Sequence, residues 1–174
     1  MTRAVLSIGS NLGDRLGHLR SVLDALPVAG GDLIAVSAVY ETAPWGPVPQ
    51  DDFLNAVVVA EDAGRDPAGW LEFGRACERR AGRTRTLLWG PRTLDVDIVD
   101  VDGMTSGDPE LTLPHPRAAE RAFVLVPWLD ADPSARLAGV PVAELLAALD
   151  PAEMVGVRRR EDLVLAAPSS RSGR

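Results

Sequence analysis

The sequence predicts an α+β fold: a ferredoxin-like α/β plait, a mainly antiparallel sheet with helices packed on it in three layers (αβα). Three observations carry that expectation. Short β-branched runs and amphipathic stretches follow the order strand, helix, strand, strand, helix, strand, the split β-α-β pattern. The 174 residues suffice for one well-buried core and are few for two. A hydrophobic share of 46% and a charged share of 25% are those of an ordinary globular chain.

The elements follow in order. Residues 3–9 form a short apolar run closed by Gly9-Ser10-Asn11 and read as a strand. Leu12, Leu16, Leu19, Val22, Leu23 and Leu26 recur at helical spacing, with Asp14 at the front and Pro27 behind, so a helix is expected over about 13–26. Residues 33–41 alternate as a second strand. Three prolines between Thr42 and Pro49 exclude regular structure there. A third strand over 53–61 is built around Val57-Val58-Val59. Asp66-Pro67 opens a second helix whose apolar stripe is Trp70, Leu71, Phe73 and Cys77, ending near Gly82. An arginine-rich loop over 82–92 leads into a fourth strand at 94–101. Residues 109–121 read as irregular, followed by weaker helical stretches at 123–129 and 142–149. The small, polar 166–174 reads as a disordered tail behind a single domain over 1–165.

All 18 basic residues are arginines, set against 25 acids for a net charge of -7. Without lysine, neither a Gly-Lys-Ser/Thr phosphate loop nor Schiff-base chemistry is available. The acidic balance disfavours generic duplex binding, and no nucleic-acid partner is expected. One cysteine, Cys77, precludes an intrachain disulfide and suits a reducing compartment. The longest apolar run, 122–129, contains Pro127 and falls far short of the roughly 20 residues of a membrane helix. The N-terminal apolar stretch is too brief for a signal-peptide core. A cytoplasmic chain with no membrane association is therefore expected.

The segment Leu94-Asp95-Val96-Asp97-Ile98-Val99 carries the sharpest chemical signal. Alternation along a strand puts Asp95 and Asp97 on one face and Leu94, Val96 and Ile98 on the other. Neighbouring carboxylates on an apolar-backed strand call for neutralisation, and a hard divalent cation carrying phosphate oxygens would supply it. A solvated edge strand accounts for the spacing equally well. The preceding segment tips the balance: residues 75–92 hold six arginines and one acid, Glu78, a local charge of +5. Arg79 and Arg80 suit a helix C-terminus. That account does not extend to Arg83, Arg85 and Arg92, whose guanidinium forks match phosphate oxygens.

Trp89-Gly90-Pro91-Arg92-Thr93-Leu94-Asp95-Val96-Asp97-Ile98 resembles the signature of the 6-hydroxymethyl-7,8-dihydropterin pyrophosphokinase family. Ser7-Ile8-Gly9-Ser10-Asn11-Leu12-Gly13-Asp14 resembles that family's opening. Tyr40 to Pro47 with Phe53-Leu54-Asn55-Ala56 resembles its pterin-binding stretch. Leu113-Pro114-His115-Pro116 and Arg121-Ala122-Phe123-Val124-Leu125 resemble its later contacts, so the likeness spans roughly 3–150.

The resemblance implies transfer of the terminal diphosphate of ATP to the pterin hydroxymethyl oxygen, with release of AMP. It implies two Mg2+ ions held by Asp95 and Asp97. It implies ATP contacts at Glu78, Arg83, Arg85, Arg92, Ile98, His115, Pro116 and Arg121, with Arg83, Arg92 and Arg121 as the catalytic arginines. Pterin contacts are implied at Thr42, Ala43, Pro44, Trp45, Phe53, Asn55, Trp89, Asp95 and Phe123, with Phe53 and Phe123 as the stacking pair. Both partners are small molecules, and a monomer is expected. His115 is read as a phosphate or ribose contact rather than a base, and His18 is given no role. Taken alone, Phe53 reads more simply as core packing and Asn55 as a strand-end residue.

The chain departs from the family pattern at Leu87-Leu88, where a basic residue is usual, at Glu110, where some relatives carry a base, and at Phe53, in place of a tyrosine. Two other readings stand beside this one. A nucleotidyltransferase also uses Gly-Ser and Asp-x-Asp, but in close succession, whereas here half the chain intervenes. A catalytically weak nucleotide-binding relative is the other.

Overall fold

The computed structural model describes residues 1–44, 46–83 and 90–165. The elements in chain order are β1 (Thr2–Ser10), α1 (Arg15–Val28), β2 (Asp32–Val36), β3 (Tyr40–Thr42), β4 (Phe53–Asp62), α2 (Pro67–Arg80) and β5 (Asp95–Val101). The second part of the chain adds β6 (Ser106–Asp108), β7 (Leu111–Leu113), a 3-10 turn (Ala118–Glu120) and α3 (Ala122–Ala131). It then gives β8 (Arg136–Leu137), β9 (Val140–Pro141), α4 (Val142–Ala148), α5 (Pro151–Met154) and β10 (Arg158–Arg159).

The main sheet runs β10-β3-β4-β1-β5, with β2 also paired to β4, and every pairing in it is antiparallel. This is the plait order expected of the strand-helix pattern. β1 and β4 are central and buried on both faces, which is why they read as continuous apolar runs. Alternation divides their side chains between two cores. Ala4, Leu6, Ile8, Ala56, Val58 and Ala60 face α1 and α2, whereas Val5, Val57 and Val59 face α3 and α4. Helices therefore cover both faces, and the three-layer arrangement holds.

Local chemistry sets the helix ends. The Asp14 carboxylate accepts from Gly17 N at 3.0 Å, and Asp66 accepts from Gly69 N at 2.7 Å with Pro67 in the first turn. The first helix runs from Arg15 to Val28 rather than over 13–26. Leu12 lies outside it and is exposed. Pro27 does not end the helix, because Ala29 N still bonds Ala25 O and Gly31 N bonds Leu26 O around the missing donor.

Three further expectations are corrected. The single strand over 33–41 is two strands, broken where Ser37 bonds Val57 through both its backbone N and its hydroxyl. The ten-residue β4 accepts both pieces, one at each end. The stretch 109–121 is not wholly irregular, because β6 and β7 pair across a tight turn. A cis Leu113-Pro114 bond follows that hairpin. The edge strand β10 was not foreseen. It is tied to β3 by the half-buried Glu41 carboxylate, which receives Arg158 at 2.5 Å and Arg15 and Arg160 each at 3.0 Å. The proposed tail lies outside the described residues.

The helix α2 approaches β5 closely because Gly74 has no side chain. A Cβ there would stand 3.0 Å from Val96 Cγ1. Gly74→Val should lower unfolding free energy by about 2 kcal/mol in a urea titration, since overpacking outweighs any helix-propensity gain. An unchanged midpoint would show that this helix-strand contact is looser than its geometry.

Candidate active site

The site lies on the α3 face of the sheet, beyond the end of the core. Going along β1, Val5 is core, and Ser7 and Gly9 continue the same face toward open space. The register sets their neighbours. Gly9 pairs with Asn55 on one side and Asp95 on the other, and Ser7 pairs with Val57 and Asp97. Phe53, two residues before Asn55, shares its face and pairs with Thr42 on β3. One end of the sheet thus presents an aromatic ring, an amide and two carboxylates in adjacent rows.

Two clefts open there. The smaller, about 550 Å³ with its open side included, is walled by Thr42, Ala43, Phe53, Asn55 and Phe123 over a floor of Ser7 and Gly9. The larger, about 1310 Å³, runs along the free edge of β5 between α2 and the 109–116 segment, past Leu71, Glu78, Arg83, Ile98 and His115. Arg92, Asp95, Asp97 and Arg121 line both. The clefts are two lobes meeting at the carboxylate pair.

Close packing sharpens the small lobe. Asn55 is buried, its amide Nδ2 donating to Thr42 Oγ1 at 2.6 Å. A Cβ on Gly9 would fall 2.5 Å from Asn55 Oδ1, so only glycine leaves the amide in place.

Charge is matched at the junction. Asp95 accepts from Arg83 Nη1 at 2.7 Å through Oδ1 and from Arg92 Nη1 at 2.9 Å through Oδ2. Arg83 also pairs with the buried Glu78 through the same Nη1. Arg121 is buried, its Nη1 lying 3.6 Å from Asp97 Oδ2 and its guanidinium carbon 5.4 Å from the Phe123 ring centroid. Burial, then the Asp95 carboxylate, push the Asp97 carboxyl up to about 7 despite Arg121 and Arg92. Burial, then Arg121, push His115 down to about 4, so its ring is neutral at physiological pH. Its Nδ1 accepts from Arg117 N at 3.2 Å, which assigns the hydrogen to Nε2, 3.9 Å from Asp97 Oδ2.

Among the described residues, no group of three or more His, Cys, Asp and Glu side chains forms a metal cage. The donor set is two carboxylates. That suits Mg2+, which retains waters and is completed by substrate phosphates.

The described sequence-derived residues fall along the two lobes, with Arg92, Asp95, Asp97 and Arg121 shared by both. Thr42, Ala43, Phe53, Asn55, Asp95 and Phe123 line the small one, and Pro44 lines neither. Glu78, Arg83, Arg92, Ile98, His115, Pro116 and Arg121 line the large one. Trp45, Arg85, Leu87, Leu88 and Trp89 lie outside the described residues. The sequence reading missed Ser7 and Gly9, visible only once the β1 register is known, and Leu71 and Arg75. With Glu78, those last two recur at i, i+4, i+7 on α2, a spacing that could have marked them.

The raised Asp97 carboxyl has a consequence for stability. Its folded value lies above the ordinary carboxyl value of 3.8, so the folded state binds the proton more tightly and loses stability as pH rises from about 4 through about 7. In metal-free protein without nucleotide, Asp97→Asn should unfold at higher urea than the parent at pH 8, by ~1–2 kcal/mol after allowance for solvent screening. The gap should close below pH 4. A parent protein equally stable to its Asn variant at pH 8 would contradict this.

Residues 5–133 match the family model described as 7,8-dihydro-6-hydroxymethylpterin-pyrophosphokinase (HPPK). A Mycobacterium tuberculosis H37Rv protein named 2-amino-4-hydroxy-6-hydroxymethyldihydropteridine pyrophosphokinase is 51% identical over 171 residues, covering 91% of this chain and 89% of its own. A protein of the same name from Methylorubrum extorquens AM1 is 43% identical over 162 residues, covering 92% of this chain and 100% of its own. Among solved structures, a wild-type Plasmodium falciparum HPPK-DHPS chain superposes with a TM-score of 0.65 at 14% identity, over 84% of this chain and 44% of that one. This chain thus spans less than half of that longer protein, and the likeness speaks for the fold. With the plait, the two lobes and the carboxylate pair in place, the chain belongs to the 7,8-dihydro-6-hydroxymethylpterin-pyrophosphokinase family.

Proposed function

We propose that this chain transfers diphosphate from ATP to the hydroxymethyl group of 6-hydroxymethyl-7,8-dihydropterin, releasing AMP, in folate biosynthesis. The observation that carries the reading is the pair of unlike lobes sharing Arg92, Asp95, Asp97 and Arg121. A flat, edge-polar ring fits the small lobe, between Phe53 and Phe123 with Asn55 and Thr42 at its edge. A nucleotide fits the larger lobe, with apolar Leu71 and Ile98 in its wall and arginines at the end that adjoins the pterin. Reacting groups drawn from two lobes meet where the lobes do.

The family is generally dependent on Mg2+, and here Asp95 and Asp97 would hold it, two ions being our reading of the pair. When bound, the cation neutralises the phosphate oxygens and polarises the phosphorus that is attacked. The chain's own residues orient and balance charge. Arg92 sits in the wall common to both lobes and directs a permanent cation at the transferred group. Arg121 backs Phe123 and faces Asp97, linking the ring stack to the phosphate side. Arg83 keeps Asp95 oriented from the end of α2, with Glu78 holding it in turn. His115, neutral and with its hydrogen on Nε2, donates to a phosphate oxygen or ribose hydroxyl and does not act as a base. We further propose a cytoplasmic monomer, a reading supported by a single, free, buried cysteine. No described helix is long and apolar enough to cross a membrane.

The deciding assay combines protein, ATP, Mg2+ and the pterin. AMP and pterin diphosphate should appear in equal amounts, whereas ADP or free pyrophosphate as the initial product would overturn the proposal. In the same assay Arg92→Ala should lower kcat by about 10²–10³ while changing the pterin Kd little, because its donors act on charge developing in transfer. Gly9→Ala should do the converse, weakening pterin binding at least about tenfold by displacing Asn55 while leaving ATP binding within about twofold. Equal loss of both substrates in Gly9→Ala would argue against the assignment of the small lobe.

A further inference from the structure

Asn11 lines neither cleft, yet it is 3% exposed and its side chain is fully committed. Its Nδ2 donates one hydrogen to Gln50 Oε1 and the other to Asp51 O, each at 2.9 Å. Its Oδ1 accepts from Arg92 N at 2.8 Å, and its own backbone N donates to Arg92 O at 3.1 Å. These contacts reach in opposite directions. Gln50 and Asp51 end the proline-rich segment immediately before Phe53, the ring of the small lobe. Arg92 stands three residues before Asp95 and pairs with its carboxylate.

Across 39 and 40 residues on one side and 81 on the other, one planar amide joins the segments presenting the two reacting partners. Neither segment is held there by a regular strand or helix. A turn residue that merely closed β1 would need one of these bonds, not four. The planarity of the amide fixes the spacing between its donor and acceptor ends, so movement of one segment is transmitted to the other.

We infer that Asn11 is a positioning residue for the transfer, holding the pterin-side segment 50–52, which leads into Phe53, and Arg92 in fixed relation through its amide. The inference rests on the assignment of pterin to the small lobe and ATP to the large one. Misplacement of reacting groups by a fraction of an ångström has large kinetic effects, so the rate at saturation should suffer more than the folding of either lobe.

The test compares the parent with Asn11→Ala and Asn11→Asp. Asn11→Ala removes both arms and should lower kcat at saturating substrates by about 30-fold or more, with ATP-analogue affinity measured without pterin within about threefold. Asn11→Asp keeps an oxygen for Arg92 N and loses both donors to residues 50 and 51. It should recover part of kcat while its pterin affinity, read from pterin fluorescence without nucleotide, stays below the parent's by about fivefold or more. Thermal unfolding of each variant supplies the folded fraction. Activity that falls only in proportion to that fraction would reduce Asn11 to a structural turn, as would parental kcat in folded Asn11→Ala. Should Asn11→Ala not fold, Asn11→Asp alone decides, since parental pterin affinity in it overturns the inference. The pterin titration involves no turnover, so it judges the Asn11 link even where the parent forms no AMP, a result that would fall on the proposed function instead.

Discussion

The register of β1 with its two neighbours is the constraint on which the site depends. Because Gly9 lies opposite both Asn55 and Asp95, the amide of the small lobe and a carboxylate of the junction are two strands apart with no side chain between them. A shift of one residue in either pairing would turn Asn55 or the Asp95–Asp97 pair toward α1 and α2. That shift is forbidden by packing: Ala4, Leu6 and Ile8 on β1 and Val96 and Ile98 on β5 already fill the other core. The hydrophobic pattern thus fixes the polar constellation. The site needs no separate scaffold, since it is the uncovered end of a face whose covered end is Val5, Val57, Val59 and Val99.

Charge explains why this geometry tolerates two adjacent carboxylates. Asp95 is flanked by Arg83 and Arg92, whereas Asp97 faces the more distant Arg121 at 3.6 Å and a neutral His115. Burial first, and then the neighbouring Asp95 carboxylate, raise the Asp97 carboxyl against the pull of Arg121 and Arg92. Net charge is a poor guide at such a place. The chain carries -7 overall, yet the arginines on the 75–92 stretch face inward to the junction at Arg83 and Arg92 and outward to acids at Arg75 and Arg79, which pair with Glu110 and Glu72. An acidic protein can therefore present a cationic wall to phosphate while remaining anionic elsewhere.

Legibility in the sequence followed the range of the interactions. Strand and helix order was readable because β1, β4 and α2 carry their periodicity locally, and the Asp95–Asp97 face followed from alternation alone. The break at Ser37 was not readable, since it comes from bonds to Val57 twenty residues away. The strand β10 escaped because its two residues are held by Arg158 and Arg160 on Glu41, more than 110 residues distant, and not by apolar pattern. Residue by residue, it was the resemblance that singled out Phe53, Asn55, His115 and Arg121; on their own, Phe53 read as core packing and Asn55 as a strand-end residue. Gly9 shows the difference most clearly. In sequence it ends a strand, and only the close approach of Asn55 gives its missing side chain a purpose.

In sequence, about half the chain separates Gly9-Ser10 from Asp95, unlike the close succession that a nucleotidyltransferase uses. In space the separation vanishes, because β1 and β5 are paired and Gly9 meets Asp95 directly. What distinguishes the present site is the other neighbour of β1. Pairing with β4 brings Phe53 and Asn55 to the far side of Gly9, and α3 sets Phe123 in the same lobe, so an aromatic-walled lobe lies beside the carboxylates. A site built only to cleave or move a nucleotide would not require that lobe. Its presence, tied to Arg92 through Asn11, makes the relative placement of two substrates the property that this fold is arranged to secure.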